Sequence, residues 1–142
     1  GRQLRSGDVV ALVGPLGAGK TCLARGVARG LGVTALVTSP TFILVNEYPL
    51  PNGGTLYHAD AYRLGEGGAS SLAEATAMGL EEIFEEESIV LVEWAERVAD
   101  LLPATHLWIE MAHAGDERRR ITLTASGLRY RALLAQLKAV LS

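Results

Sequence analysis

The segment GPLGAGKT, Gly14 to Thr21, limits what this chain can fold into more than any other, because of what stands on either side of it. Asp8 to Val13 form a short apolar run closed by Gly14, the pattern of a buried parallel strand entering a glycine loop. From Lys20 the period changes. Leu23, Val27 and Leu31 recur at every fourth position and place one apolar stripe on a helix that ends around Gly30 and Gly32. Strand, GxxxxGK(S/T) loop and helix, in that order, form a phosphate-binding P-loop. Gly14, Gly17 and Gly19 let backbone N–H groups converge on phosphate oxygens, and the helix N-terminus adds a favourable dipole. Lys20 supplies a mobile cation for the β- and γ-phosphates, and the Thr21 hydroxyl completes the shell of a bridging Mg²⁺. The loop residues Gly14, Leu16, Gly17, Ala18, Gly19, Lys20 and Thr21, with Cys22 after them, are therefore read as wrapping the phosphates of ATP or GTP.

The 142 residues suit one compact domain spanning 1–142, and an apolar fraction of 49% is enough to fill its core. A net charge of −3 gives no global reason for direct nucleic-acid binding, so an RNA role needs a local patch or a partner, and no DNA partner is expected. The single cysteine, Cys22, excludes an internal disulfide framework and a cysteine-based zinc site, which fits a reducing cytoplasm. No run approaches the roughly eighteen apolar residues of a membrane span. The chain starts at Gly1, which leaves room for a preceding element.

Beyond the first helix, Ser39-Pro40-Thr41-Phe42 reads as a polar loop leading into a strand from Ile43 to Tyr48. The turn Pro51-Asn52-Gly53-Gly54 makes Thr55 to Asp60 its antiparallel partner. A glycine-rich loop, Gly65 to Gly68, precedes a helix capped by Ser70 that runs through Met78, and a second helical piece covers Leu80 to Glu86. Ile89 to Val92 is a buried strand ending in Glu93. A helix from Ala95 to Leu102 stops before Pro103, and Thr105 to Met111 pairs with Arg120 to Ala125 as a hairpin. Ser126 is placed to cap a final helix with Tyr130, Leu133, Leu134, Leu137 and Leu141 on one face. The order implies an α/β P-loop NTPase-like fold of three layers, with a mixed, largely parallel sheet, flanking helices and antiparallel hairpins.

Two carboxylates close predicted strands. Glu93 stands where P-loop proteins carry the acidic residue facing Mg²⁺ or the attacking water, usually an aspartate, although strand-end carboxylates are also common on surfaces. Asp60 ends another strand, and ligands of open α/β sheets gather at carboxyl ends. Thr41 has two readings, a γ-phosphate sensor or a turn hydroxyl that satisfies its own backbone. Trp94 stacks on a base or partner, or packs at the core rim. His58 belongs to the hairpin and makes no metal site alone, and Arg118 to Arg120 read as a solvated loop rather than an RNA contact.

GPLGAGKT, SPTFILVNEY at Ser39 to Tyr48, HADAYRL at His58 to Leu64, GLEEIF at Gly79 to Phe84 and EWAE at Glu93 to Glu96 follow one another as they do in one family. The chain resembles the bacterial TsaE (YjeE) family of tRNA threonylcarbamoyladenosine biosynthesis ATPases over nearly its whole length. The resemblance implies an ATP hydrolase that supports the transfer of threonylcarbamoyl to ANN-decoding tRNA by acting on the TsaD and TsaB proteins, without being the transferase. It implies that Lys20, Asp60 and Glu93 carry catalysis. Thr21, Thr41, Asp60 and Glu93 would surround Mg²⁺, Thr41 and Trp94 would lie at the nucleotide, and tRNA would be met only through the complex. Cys22, Ala61 and Ala95 depart from the family's pattern without removing a proposed ligand, and the family's N-terminal helical segment is abbreviated. A small-molecule kinase would need an acceptor pocket and an arginine-bearing lid, for which Gly65 to Gly68 is short. A nucleotide-dependent binding module with negligible turnover is the third reading.

Overall fold

The structure, a computed structural model, describes residues 1–38, 45–65, 70–85 and 87–142. Its strands are β1 (Val9–Val13), β2 (Val45–Pro49), β3 (Thr55–Asp60), β4 (Ile89–Glu93), β5 (His106–His113) and β6 (Arg119–Ser126). The helices are α1 (Lys20–Gly30), α2 (Ser71–Ala77), α3 (Leu80–Glu85) and α4 (Leu128–Leu141), with a 3₁₀ segment at Ala95–Leu101. One six-stranded sheet runs in the order β2-β3-β4-β1-β5-β6. The inner pairs β3·β4, β4·β1 and β1·β5 are parallel, and the outer pairs β2·β3 and β5·β6 are antiparallel hairpins. This is the mixed, largely parallel sheet of a P-loop NTPase-like α/β fold.

Alternation along the strands divides the core in two. Val10, Leu12, Leu56, Leu91, Leu107 and Ile109 pack with Ala24, Val27 and Ala28 of α1 and with Tyr130 and Leu133 of α4. Val9, Ala11, Ala59, Val90 and Val92 face the opposite way, onto Ala75, Leu80, Ala95 and Val98. Leu12, Leu56 and Leu91 are at most 1% exposed. Burial of each contributes roughly 1.5–3 kcal/mol, so the site is anchored on the most deeply buried strands of the sheet.

Several element ends follow local chemistry. The Ser70 hydroxyl accepts from the Ala73 N–H and caps α2. Gly53 takes φ +93° in the turn between β2 and β3, with the Asn52 side chain accepting from the Gly54 N–H. Three readings need correction. Ser126 is the last residue of β6 and does not cap α4, whose N-cap is Gly127 at φ +100° with no side-chain cap. Leu141 is 83% exposed, because the last turn of α4 runs past the sheet it covers. The segment after Glu93 is 3₁₀ rather than α-helical: Trp94 enters it from the left-handed region at φ +57°, and its run is broken at Val98, whose φ is −129°.

Tyr130 ties α4 to the start of β1: its hydroxyl accepts a buried 2.8 Å hydrogen bond from the Val9 N–H. Burial raises the phenol's pKa above the usual tyrosine value. Tyr130→Phe is expected to leave that N–H unpaired and cost about 1–3 kcal/mol. Urea unfolding should show this as a lower midpoint at unchanged slope.

Candidate functional site

The strand-to-helix loop takes its shape from glycines with positive φ, Gly14 at +149°, Gly17 at +79° and Gly19 at +104°. A Cβ on Gly14 would lie 2.3 Å from the Met111 carbonyl oxygen, so β5 leaves no room for a side chain there. A Cβ on Gly17 would meet nothing within 4 Å, since this part of the loop borders open space. Gly19 is the N-cap of α1 and offers no side-chain cap, so the first turn's N–H groups face the loop without a competing side-chain acceptor.

Lys20 is 5% exposed. Its ammonium donates to the carbonyls of Gly14 at 2.5 Å and Pro15 at 3.0 Å, and sits 4.1 Å above the centre of the Trp94 ring. Burial lowers its pKa from the usual lysine value, while the charges of Glu93, Glu96 and Asp60 oppose that shift. The cation is thus held by dipoles and a ring face, without an ion-pair partner of its own among the described residues.

The carboxylates come from neighbouring strands. Asp60 and Glu93 are register partners at the ends of β3 and β4, and the Ala61 N–H donates to the Glu93 carbonyl. Residues in register on parallel strands project to one face, here the face that α1 covers. Glu93 is 2% exposed and uses both oxygens: Oε1 accepts from the Thr21 hydroxyl at 2.8 Å, and Oε2 lies 2.5 Å from Nε2 of His58. Asp60 is 5% exposed and accepts from the Tyr62 N–H at 2.9 Å, which fixes its carboxylate at the mouth of the same cleft.

That cleft encloses about 280 Å³ and is lined by Leu16, Gly17, Gly19, Lys20, Thr21, Cys22, Asp60, Tyr62, Glu93 and Trp94. Trp94 forms its far wall. The left-handed backbone of a tryptophan costs about 1–3 kcal/mol; it is offset by the tilted stack of Trp94 on Tyr62, with centroids 4.9 Å apart, and by the two cations on its ring, Lys20 and Arg97. Arg97 also donates to the carbonyls of Tyr62 and Leu64, so the chain leaving β3 is pinned to the chain leaving β4.

Of the residues expected from the sequence, Gly17, Gly19, Lys20, Thr21, Cys22, Leu16, Asp60, Glu93 and Trp94 line one cleft. Gly14 shapes the loop from behind, and Ala18 is buried beneath it. Thr41 lies outside the described residues. His58 lies in the hairpin where the sequence puts it, but its contact with Glu93, and those of Tyr62 and Arg97 with Trp94, were not expected. Alternation along β3 held a signal for the first, since His58 shares a face with Asp60. Arg118, Arg119 and Arg120 are exposed, the latter two on β6, remote in sheet order from β3 and β4.

No group of three or more His, Cys, Asp or Glu among the described residues could hold a metal by itself. The cleft offers instead a hydroxyl and two carboxylates, all oxygen, which suits a hard cation that keeps water and takes phosphate oxygens. No helix among the described residues is long and apolar enough to cross a membrane.

Comparison with known proteins gives one family. A family model described as "Threonylcarbamoyl adenosine biosynthesis protein TsaE" matches residues 1–121. The chain is 44% identical over 135 residues to the tRNA threonylcarbamoyladenosine biosynthesis protein TsaE of Bacillus subtilis, covering 94% of this chain and 79% of that protein. It is 42% identical over 134 residues to the protein of the same name from Streptomyces coelicolor, covering 91% and 87%. The crystal structure of Bacillus subtilis YdiB superposes with a TM-score of 0.79 at 37% identity, covering 99% of this chain and 83% of that one.

Proposed function

The chain belongs to the TsaE family of threonylcarbamoyladenosine biosynthesis proteins, and on that footing we propose that it is a Mg²⁺-dependent ATPase whose hydrolysis of ATP to ADP and phosphate supports modification of ANN-decoding tRNA. It acts on a TsaD–TsaB complex in the cytoplasm, meets tRNA through that complex, and is not the transferase. The observation that carries the ATPase reading is the Thr21–Glu93 hydrogen bond, which joins the P-loop helix to the carboxylate of β4 beside a lysine with no ion-pair partner of its own among the described residues.

A hydroxyl that donates its proton to Glu93 keeps its lone pairs free. Thr21 would hold Mg²⁺ through those lone pairs, with Glu93 behind it and Asp60 at the cleft mouth orienting water. The ion would neutralise charge building on the β- and γ-phosphates. Lys20 would leave the Gly14 and Pro15 carbonyls for the phosphates, and the closely packed Trp94 wall would exclude bulk water.

With tRNA, the TsaD and TsaB proteins and an activated threonylcarbamoyl donor, the chain is expected to raise the modified tRNA formed per complex above one turnover. An equal yield without the chain or without ATP would overturn its supporting role.

A further inference from the structure

His58 is the one buried polar side chain of the β3–β4 pair that the nucleotide site does not itself require. It is 0% exposed and stands on β3 between Leu56 and Asp60, in register with Leu91. Its strand neighbours on that face, Leu56 and Leu91, are apolar, whereas here an imidazole is buried with one end unsatisfied. Nδ1 is buried with no hydrogen-bond partner among the described residues. Nε2 faces Glu93 Oε2 at 2.5 Å.

We propose that His58 is a positioning residue for the ATPase site: its Nε2–H locks the Glu93 carboxylate in the orientation from which Oε1 takes the Thr21 hydroxyl hydrogen bond. The inference rests on the reading of Glu93 given above. The assignment of the proton follows from the surroundings. With Nε2 protonated, the ring donates to a carboxylate and leaves only a lone pair unpaired at Nδ1. With Nδ1 protonated instead, a buried N–H would have no acceptor and two lone pairs would face each other at 2.5 Å. The chain of hydrogen bonds His58–Glu93–Thr21 therefore runs in one direction, and it delivers the Thr21 oxygen with its lone pairs turned to the cleft. Such supporting partners typically alter rate or metal affinity by about 10- to 100-fold.

The test measures single-turnover ATP hydrolysis and equilibrium ATP affinity without Mg²⁺ for His58→Leu, His58→Gln and Glu93→Gln in the full chain. His58→Leu is expected to hydrolyse about 10- to 100-fold more slowly with metal-free ATP affinity unchanged, and His58→Gln, whose amide N–H reaches the same carboxylate, to recover most of the rate. A His58→Leu variant as fast as the parent, while Glu93→Gln collapses, overturns the His58 inference and leaves the ATPase reading standing. A Glu93→Gln variant as fast as the parent removes the reading of Glu93 and the inference with it. Should His58→Leu fail to fold, ¹⁵N long-range correlation NMR of the unaltered chain decides: a proton on Nε2 is expected, and a ring protonated at Nδ1 alone overturns the proposal.

Discussion

Replacing Lys20 by alanine is expected to lower ATP hydrolysis by at least about 10²- to 10³-fold, the scale of losing one preorganised charge at a transferring phosphoryl group, while leaving the fold intact. The two halves of that expectation have separate causes. The lysine sits in the site with its charged form disfavoured by burial, and a triphosphate would supply the anionic partner that it lacks among the described residues. Without nucleotide, burial works against the charged form of Lys20 in the folded state. A lysine whose pKa is lowered on folding binds fewer protons folded than unfolded, so its contribution to stability rises with pH between the lowered value and the ordinary one. Lys20→Ala without nucleotide should therefore melt at or above the parent's temperature. The negative charge of a bound phosphate would raise the lowered pKa, so binding would take up a proton in that window and ATP affinity should weaken as pH rises through the lowered value. Calorimetry in buffers of different ionisation enthalpy reads the proton directly; no proton uptake, or an early-melting Lys20→Ala, would contradict the account.

Glu93→Gln is expected to slow hydrolysis by about 10²- to 10⁴-fold, the range for losing a positioned acid–base group, at little cost to stability, and Glu93→Ala to damage both. An amide has one acceptor end. With its oxygen towards His58, its N–H₂ meets the Thr21 hydroxyl and reverses that hydrogen bond, turning a Thr21 lone pair away from the metal position. With its oxygen towards Thr21, its N–H₂ faces the ring N–H of His58. Either way the side chain still fills the space. Alanine leaves the Thr21 and His58 donors without the acceptor that now joins them, at about 1–3 kcal/mol for each group left unsatisfied. Paired thermal melts and single-turnover rates for the two variants separate the chemical effect from the structural one. A Glu93→Gln enzyme that keeps the parent rate would remove Glu93 from the mechanism.

What the sequence carried follows the range of the interactions. The β1–loop–α1 unit was legible because its signals are local: an apolar run, three glycines, then a change of period at Lys20. The Asn52-Gly53 turn and the Ser70 cap were legible for the same reason. Ser126 misled because a serine beside a helix start suits a cap, whereas Gly127 turns the chain into α4 and leaves Ser126 paired with His106. The 3₁₀ segment after Glu93 opens on Trp94 in a left-handed backbone, with ring contacts to Tyr62 and Lys20 that spacing along the chain does not reveal. Asp60 and Glu93 were legible as strand ends, but their being register partners comes from the parallel β3·β4 pairing. His58 shows the same limit most clearly. Its place in a strand was readable, yet its contact with Glu93, 35 residues away, exists only once that register is set.

The central claim is that this cleft catalyses attack of water on the γ-phosphate of Mg²⁺-bound ATP. Its most direct test is a single-turnover reaction with the chain in excess over ATP, in ¹⁸O-labelled water, with the TsaD and TsaB proteins and tRNA present. The expected products are ADP and inorganic phosphate carrying one solvent-derived oxygen, formed only with Mg²⁺ and an intact Lys20. ATP that stays uncleaved while bound, or a γ-phosphate found on another acceptor, would contradict it.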